Sequence, residues 1–89
     1  MDIRTCDYVT LKSVEEVKFL YKFWDVSDDG CVNAGTNYFT NEMLDVMGTS
    51  NMYKVVRVKP DYVLVDIEGT LWRFDKKCIK DIYRLTKVN

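Results

Sequence analysis

The side chains of this sequence that could do chemistry are densest in one acidic segment, residues 25–30. Asp25, Ser27 and Asp29 stand at alternate positions and Gly30 follows, as at the start of an EF-hand calcium loop. Such a loop needs a bidentate Glu at its twelfth position, and Thr36 stands there instead. An Asp-rich turn, whose side chains bond to nearby backbone amides, also explains the segment. We therefore expect no metal here.

Covalent and acid–base catalysis find little support in the sequence. The chain has no histidine, so neither a Ser/His nor a Cys/His pair can form. Cys6, Cys31 and Cys78 fit no zinc spacing. The neighbouring carboxylates of Asp28 and Asp29 have no evident apolar pocket that would raise the pKa of one of them. We therefore expect that the protein is not an enzyme and that it binds no cofactor.

Aromatic side chains offer a second kind of site, a surface for binding another protein. Trp72 and Phe74 lie two residues apart in a β-prone segment, so they share a face, and in so small a domain that face is expected to be the core. Trp24 and Tyr38 flank the acidic segment and are the better candidates for an exposed contact. Aromatic anchors beside charges are typical of binding hot spots. The predicted contact surface is Trp24, Tyr38, Asp25, Asp28 and Asp29.

A third candidate is a basic face in the second half of the chain. Its members are Lys54, Arg57 and Lys59, followed by Arg73, Lys76, Lys77, Lys80 and Arg84. On alternate strand positions these side chains would form a stripe for nucleic-acid phosphates. Lysines that keep an edge strand from pairing with another chain explain the pattern equally, and we favour that interpretation because no nucleic-acid motif accompanies it.

Two helices and a first strand are predicted in the first half of the chain. Residues 3–11 alternate as a strand does, and Ser13 with Glu16 forms a capping box. Apolar residues at helical spacing then predict a helix of roughly three turns that reaches Trp24. Residues 25–37 are rich in Asp, Ser, Gly and Asn and predict a loop. Thr40 caps a short second helix that ends at Gly48.

The second half predicts a meander of short strands. Residues 52–59 alternate, Pro60 with Asp61 forms a turn, and residues 62–67 are strongly β-prone. Glu68 and Gly69 predict a tight turn into a strand over residues 70–74. A single 3₁₀ turn over residues 75–78 and a closing strand over residues 79–85 complete the series.

Length and charge limit the class of protein. Eighty-nine residues form one domain, and the composition, 47% hydrophobic and 30% charged, is that of a folded chain. The net charge of −1 does not favour a generic nucleic-acid binder. Residues 1–45 hold four basic and nine acidic residues, whereas residues 46–89 hold nine and five, which favours faces of opposite charge. Three unpatterned cysteines, no signal peptide and no apolar span predict a reduced, cytoplasmic protein.

The order of core positions resembles SH3-like domains of phages and large viruses. In that pattern, a Phe precedes a short helix with Met, Leu and a following Gly, and two strands then lead to a Trp two residues before an aromatic. The matching residues are Phe39, Met43, Leu44, Gly48, Val55, Val58, Tyr62, Val65, Trp72 and Phe74, and residues 7–13 resemble the first barrel strand. The acidic segment 25–35 has no place in the pattern.

The resemblance implies an α+β fold, a small SH3-like bent β-barrel or sheet with an N-terminal amphipathic helix and a second short helix. We expect one domain over residues 1–89, with a helical and acidic insertion at about 13–48. The expected function is that of a phage or viral accessory protein that binds and inhibits a host protein, such as a defence or nucleic-acid-handling factor. A small nucleic-acid-binding barrel and an oligomerising virion module are the alternatives.

Overall fold

The computed structural model describes residues 2–21, 24–26, 32–34 and 37–84, and of residues 24–26, 32–34, 37 and 38 it describes the backbone alone. Two short helices and eight strands occupy these ranges, together with one turn of 3₁₀ helix. The architecture confirms the predicted α+β class. No helix in the described part of the chain is long and apolar enough to span a membrane.

A five-stranded antiparallel sheet forms the centre of the fold. Its strands are β1 (Tyr8–Leu11), β5 (Tyr53–Val58), β6 (Tyr62–Ile67), β7 (Thr70–Asp75) and β8 (Ile79–Tyr83), in the order β7-β6-β5-β1-β8. The predicted meander is confirmed in β5, β6 and β7. The first strand begins later than predicted, because residues 4–7 form a turn in which the amide of Asp7 donates to the carbonyl of Arg4 and Cys6 has a φ of 74°.

The turn between β6 and β7 has the local chemistry that the sequence predicts. Glu68 and Gly69 both have positive φ, at 52° and 84°, which matches the right-handed twist of the strands that they join. The Asp66 carboxylate accepts the Gly69 amide at 2.9 Å and closes the turn. A tight hairpin of this kind fixes the register between the two strands, from Ile67 opposite Thr70 to Tyr62 opposite Asp75.

The link from β7 to β8 shows that the sheet is bent. These two strands are the outer strands of the sheet, yet only the 3₁₀ turn Lys76–Cys78 separates them in sequence. Four strand spacings would hold the edges of a flat sheet about 19 Å apart. The steps from Asp75 to Ile79 reach at most about 14 Å. The edges therefore curve toward each other.

Helix α1 (Val14–Lys18) is much shorter than predicted. Ser13 caps it as expected, since its hydroxyl accepts the Glu16 amide at 3.3 Å. Val17 is buried and Tyr21 packs partly against the core, but Leu20 is exposed, so the apolar stripe that predicted three turns is only partly buried. The predicted extension of the helix to Trp24 is wrong, because Trp24 begins a strand.

The predicted loop over residues 25–37 is wrong wherever the structure describes it. Strands β2 (Trp24–Val26), β3 (Val32–Ala34) and β4 (Asn37–Phe39) form a second, antiparallel sheet in the order β2-β3-β4. Each strand has only three residues, too few to show the period-two alternation by which strands are recognised. Backbone pairing between the strands, rather than local propensity, builds this sheet.

Helix α2 (Asn41–Val46) begins and ends as the sequence predicts. The Thr40 hydroxyl accepts the Met43 amide at 3.2 Å, and Gly48 follows the helix with a φ of 77°. Gly48 also donates its amide to the carbonyl of Leu11, which ties the end of α2 to the end of β1. A β-carbon at Gly48 would come within 3.0 Å of Ser13, so glycine is required there for two separate reasons.

One face of the five-stranded sheet, its inner face, carries the core. Val9, Val55, Val65 and Phe74 have no exposed surface there, and Phe39 packs against Phe74 with ring centroids 6.4 Å apart. The elements between β1 and β5 add Val17, Met43, Leu44 and Met47 to the same cluster. The other face of the sheet, its outer face, is the solvent-facing side of β1, β5, β6, β7 and β8.

Candidate functional site

The outer face of the five-stranded sheet is the candidate site, because it combines cations with exposed apolar groups. Register fixes one row across all five strands, in the order Leu71, Asp66, Lys54, Tyr8 and Tyr83. The alternate positions in these strands, such as Val65 and Val9, are fully buried, so the members of the row lie on the opposite side. Leu71 is 54% exposed and Tyr83 is 47% exposed.

A second row lies beside the first on strands β7, β6 and β5. It consists of Arg73, Leu64 and Arg57, in that order. A bulge between Val55 and Arg57 adds Val56 to β5, and it leaves the Val56 side chain 39% exposed. The bulge keeps Arg57 on the outer face, two residues past an inward Val55, which a regular strand would not do.

Arg73 is held in place by an aromatic ring. Its guanidinium carbon lies 3.8 Å from the centroid of the Tyr62 ring. The two residues are diagonal neighbours across β6 and β7, since Tyr62 pairs with Asp75 and Arg73 pairs with Leu64. Arginine stacked on a ring keeps its N–H groups free at its edge for a further partner. The site therefore holds one preorganised cation.

Lys54 and Asp66 are opposite each other in the register, but they form no ion pair. The Asp66 carboxylate accepts the Gly69 amide. Within the described part of the chain, Lys54, Arg57 and Arg73 form no ion pair with any carboxylate. The outer face therefore carries these three unpaired cations together with the carboxylates of Asp66, Asp75 and Asp81.

The predicted basic face is only partly assembled. Lys54, Arg57 and Arg73 share the outer face, whereas Lys59 and Lys76 are half-buried on either side of the turn at Pro60 and Asp61. Lys77 lies on the other side of the molecule, with its ammonium 5.8 Å from the ring centroid of Tyr21. Lys80 is exposed on β8, an edge strand.

Arg84 stabilises the fold through an ion pair with a buried carboxylate. Its Nε and Nη2 donate to the two carboxylate oxygens of Asp7, each at 2.9 Å. The hydrogen bonds from Arg84 hold the pKa of the Asp7 carboxyl below its usual range, with the Arg4 amide contributing in the same direction. The Asp7 side chain is 3% exposed, so this pair fastens the residue after β8 to the residue before β1.

The predicted protein contact at residues 24–38 lies in the second sheet. Asp25 and Tyr38 occupy one row of its register with Asn33, whereas Trp24 occupies the next row with Ala34 and Asn37. Trp24 and Tyr38 therefore stand in different rows of this sheet, while Asp28 and Asp29 lie outside the described residues.

The EF-hand pattern does not have its expected setting. Asp25 lies in the middle of β2 and not in a loop that directly follows a helix. Ser27 and Asp29 lie outside the described residues. Among the residues that the structure does describe, no group of three or more His, Cys, Asp or Glu side chains is placed to hold a metal ion.

The described thiols have opposite environments. Cys78 is fully buried, with its Sγ 3.7 Å from the Tyr21 hydroxyl, and burial raises the pKa of its thiol to about 11. Such a thiol is protonated at neutral pH and is a poor nucleophile. Cys6 is exposed in the turn before β1, and Cys31 lies outside the described residues.

A cavity of about 320 Å³ lies between α2 and the β6–β7 turn, on the side away from the outer face. Trp72, which packs partly against the core, forms an apolar wall, and the side chains of Glu42, Asp45 and Glu68 also line it. The sequence predicted Trp72 as a core residue, and the structure places it half-buried against the core cluster. Residue types alone do not indicate this cavity, because its lining comes from two distant segments.

Comparisons of the chain with protein-family models, with curated proteins and with solved structures find no match.

Proposed function

We propose that this protein is a non-enzymatic binding domain that engages another protein through the outer face of its five-stranded sheet. The observation that carries the proposal is that this face is solvent-exposed while it displays Leu71, Tyr83, Arg57 and Arg73. Tyrosine and arginine are enriched in protein interfaces, and an aliphatic group among them supplies area that binding removes from water.

The fold assignment within this proposal is an SH3-like bent β-barrel with an insertion at about residues 13–48. Two observations support it. The final strand pairs back to the first, so that β1 lies between β5 and β8, and a single 3₁₀ turn connects the two edges of the sheet. Such a short link requires strong curvature. The insertion contributes both helices and the second sheet.

The biological setting within this proposal is a phage or large-virus accessory protein that binds and inhibits or modulates a host protein in the host cytoplasm. This part rests on the resemblance in core positions. The chain has no histidine, and its Cys78 thiol is buried and protonated. Both observations favour a role in binding over a role in catalysis. Occupying a host surface requires no chemistry.

Nucleic acid is the second candidate partner, because Lys54, Arg57 and Arg73 lie on one face near Tyr8, Tyr62 and Tyr83. Cations beside aromatic rings bind single strands through phosphate contacts and base stacking. This candidate predicts affinity that falls steeply as salt rises.

Affinity capture from a nuclease-treated lysate of the bacterial host tests the proposal. The outer-face variant is Leu71→Ser with Tyr83→Ser, and the matched control is Phe19→Ser, an apolar side chain that is 81% exposed beside α1. We expect the wild type and the control to retain one stoichiometric host protein that the outer-face variant loses. Equal retention by both variants would contradict the proposed interface, and recovery that disappears with nuclease would favour nucleic acid.

A further inference from the structure

The unpaired cations of the outer face identify the partner's chemistry more closely, an inference that rests on the proposed protein-binding function. Lys54, Arg57 and Arg73 are exposed there, and none of the three has an ion pair within the described residues. The carboxylates of the same face are engaged by other groups: Asp66 accepts the Gly69 amide, Asp75 accepts the Lys77 amide and Asp81 accepts the Thr10 hydroxyl. The three cations therefore favour carboxylates on the partner.

Arg73 and Arg57 are arranged around an apolar centre. They lie on β7 and β5 with Leu64 of β6 between them in the same row. Neighbouring strands are about 4.8 Å apart, so the two backbone positions are about 10 Å apart with a half-buried leucine midway. Stacking on Tyr62 at 3.8 Å restricts Arg73, which lowers the entropy lost when a carboxylate binds to it.

We propose that the outer face takes an acidic protein segment in which carboxylates flank an apolar side chain. The apolar side chain packs on Leu64 and Leu71, and the flanking carboxylates pair with Arg57 and Arg73. Arginine matches carboxylate geometry through two parallel hydrogen bonds, so the two ends of the row select acidic groups in particular.

Aliphatic content favours a protein partner over a polynucleotide at this face. Leu71 and Val56 are 54% and 39% exposed. A platform that stacks nucleic-acid bases would need an aromatic ring between the two arginines, and Leu64 occupies that position. The Tyr62 ring is itself covered by Arg73. The net charge of −1 gives no long-range attraction for a polyanion, whereas a short acidic segment needs only the local cations.

Selection of a displayed library of random short peptides on the full-length protein tests this inference. We expect the selected peptides to be enriched in Asp and Glu on both sides of an apolar residue. Their affinity is expected to fall at least about tenfold for Arg57→Glu with Arg73→Glu. The control is Lys18→Glu with Lys77→Glu, which makes the same charge change away from the outer face and is expected to leave affinity unchanged. Circular dichroism checks that each variant is folded.

The outcomes separate this inference from the function on which it rests. Peptides that lose affinity for Leu71→Ser with Tyr83→Ser but carry no acidic enrichment would overturn the acidic partner and leave the interface standing. Peptides indifferent to every outer-face substitution, or no enriched peptide at all, would overturn both. A mixed-sequence single-stranded oligonucleotide that binds wild type more tightly than the selected peptides, and loses that affinity in the arginine variant, would assign the face to nucleic acid.

Discussion

Asp7 holds the two ends of the chain together through one carboxylate. Both of its oxygens accept from Arg84 at 2.9 Å, and one of them also accepts the Arg4 amide at 2.8 Å. The carboxylate is almost fully buried, so hydrogen bonds must replace the water that it loses on folding. Sequence alone does not identify this residue, because its partner lies 77 positions away.

Asp7→Asn is expected to destabilise the fold by about 1–3 kcal/mol at neutral pH, because it leaves buried hydrogen-bonding groups poorly matched. In the wild type the folded pKa is lowered from 3.8, so the ion pair stabilises fully above that value and is lost as pH falls through the lower, folded pKa. Urea unfolding across this acid range checks the prediction. Asp2→Asn is the control, since the Asp2 side chain is 72% exposed.

The variant should therefore lose less stability on acidification than the wild type does. Parallel acid curves for the wild type and Asp7→Asn would contradict the assignment of the pH dependence to this carboxylate. A similar loss of stability in Asp2→Asn at neutral pH would show that the charge near the N-terminus matters more than the buried pair.

Local signals predicted the elements whose causes are local. The Ser13 and Thr40 hydroxyls each accept an amide three residues on, as capping requires, and the turn at Glu68 and Gly69 forms where its residue types predict. The strands β5, β6 and β7 follow from alternation and β-branched content. In each case the information lies within a few residues of the structure it specifies.

Elements that depend on distant partners were missed. The three-residue strands β2, β3 and β4 exist because they pair with one another, and α1 ends at Lys18 although Leu20 and Tyr21 continue its apolar spacing. The outer face was only partly foreseen. Arg57, Leu64 and Arg73 become neighbours through the register of three strands and through a bulge. Residue types alone predict neither the register nor the position of the bulge.

The two glycines with positive φ provide a matched test of what positions these elements. Gly69→Ala meets nothing within 4 Å, so its cost is that of a left-handed alanine, about 1 kcal/mol. Gly48→Ala carries that cost and also brings its β-carbon to 3.0 Å from Ser13, whose backbone is 3.1 Å away. We expect it to cost at least about 2 kcal/mol. Guanidinium unfolding measures the stability of the two variants. Equal losses of stability would show that the start of α1 shifts without cost to accommodate the added methyl group.

The whole molecule joins a curved sheet to an insertion that covers it. Strands β1 and β5 are antiparallel neighbours, with Val9 opposite Tyr53, so a short hairpin connection between them would satisfy the sheet. The chain instead places two helices and three strands there. Val17, Phe39 and Met47 from this insertion are all buried against the inner face. The insertion is therefore part of the only core that the described residues form.

Replacing residues 13–48 with a short Gly/Ser linker tests that dependence. The linker can close because the strand ends that it joins are adjacent, but Val55, Val65 and Phe74 would lose the apolar groups that cover them. We expect a chain that binds a hydrophobic dye and unfolds without a cooperative transition. The single change Phe39→Ala should keep cooperativity while it costs about 3–5 kcal/mol, since it removes a ring with no exposed surface. Cooperative unfolding of the deleted chain would instead make the five strands an independent domain, and the insertion would then be free to serve binding alone.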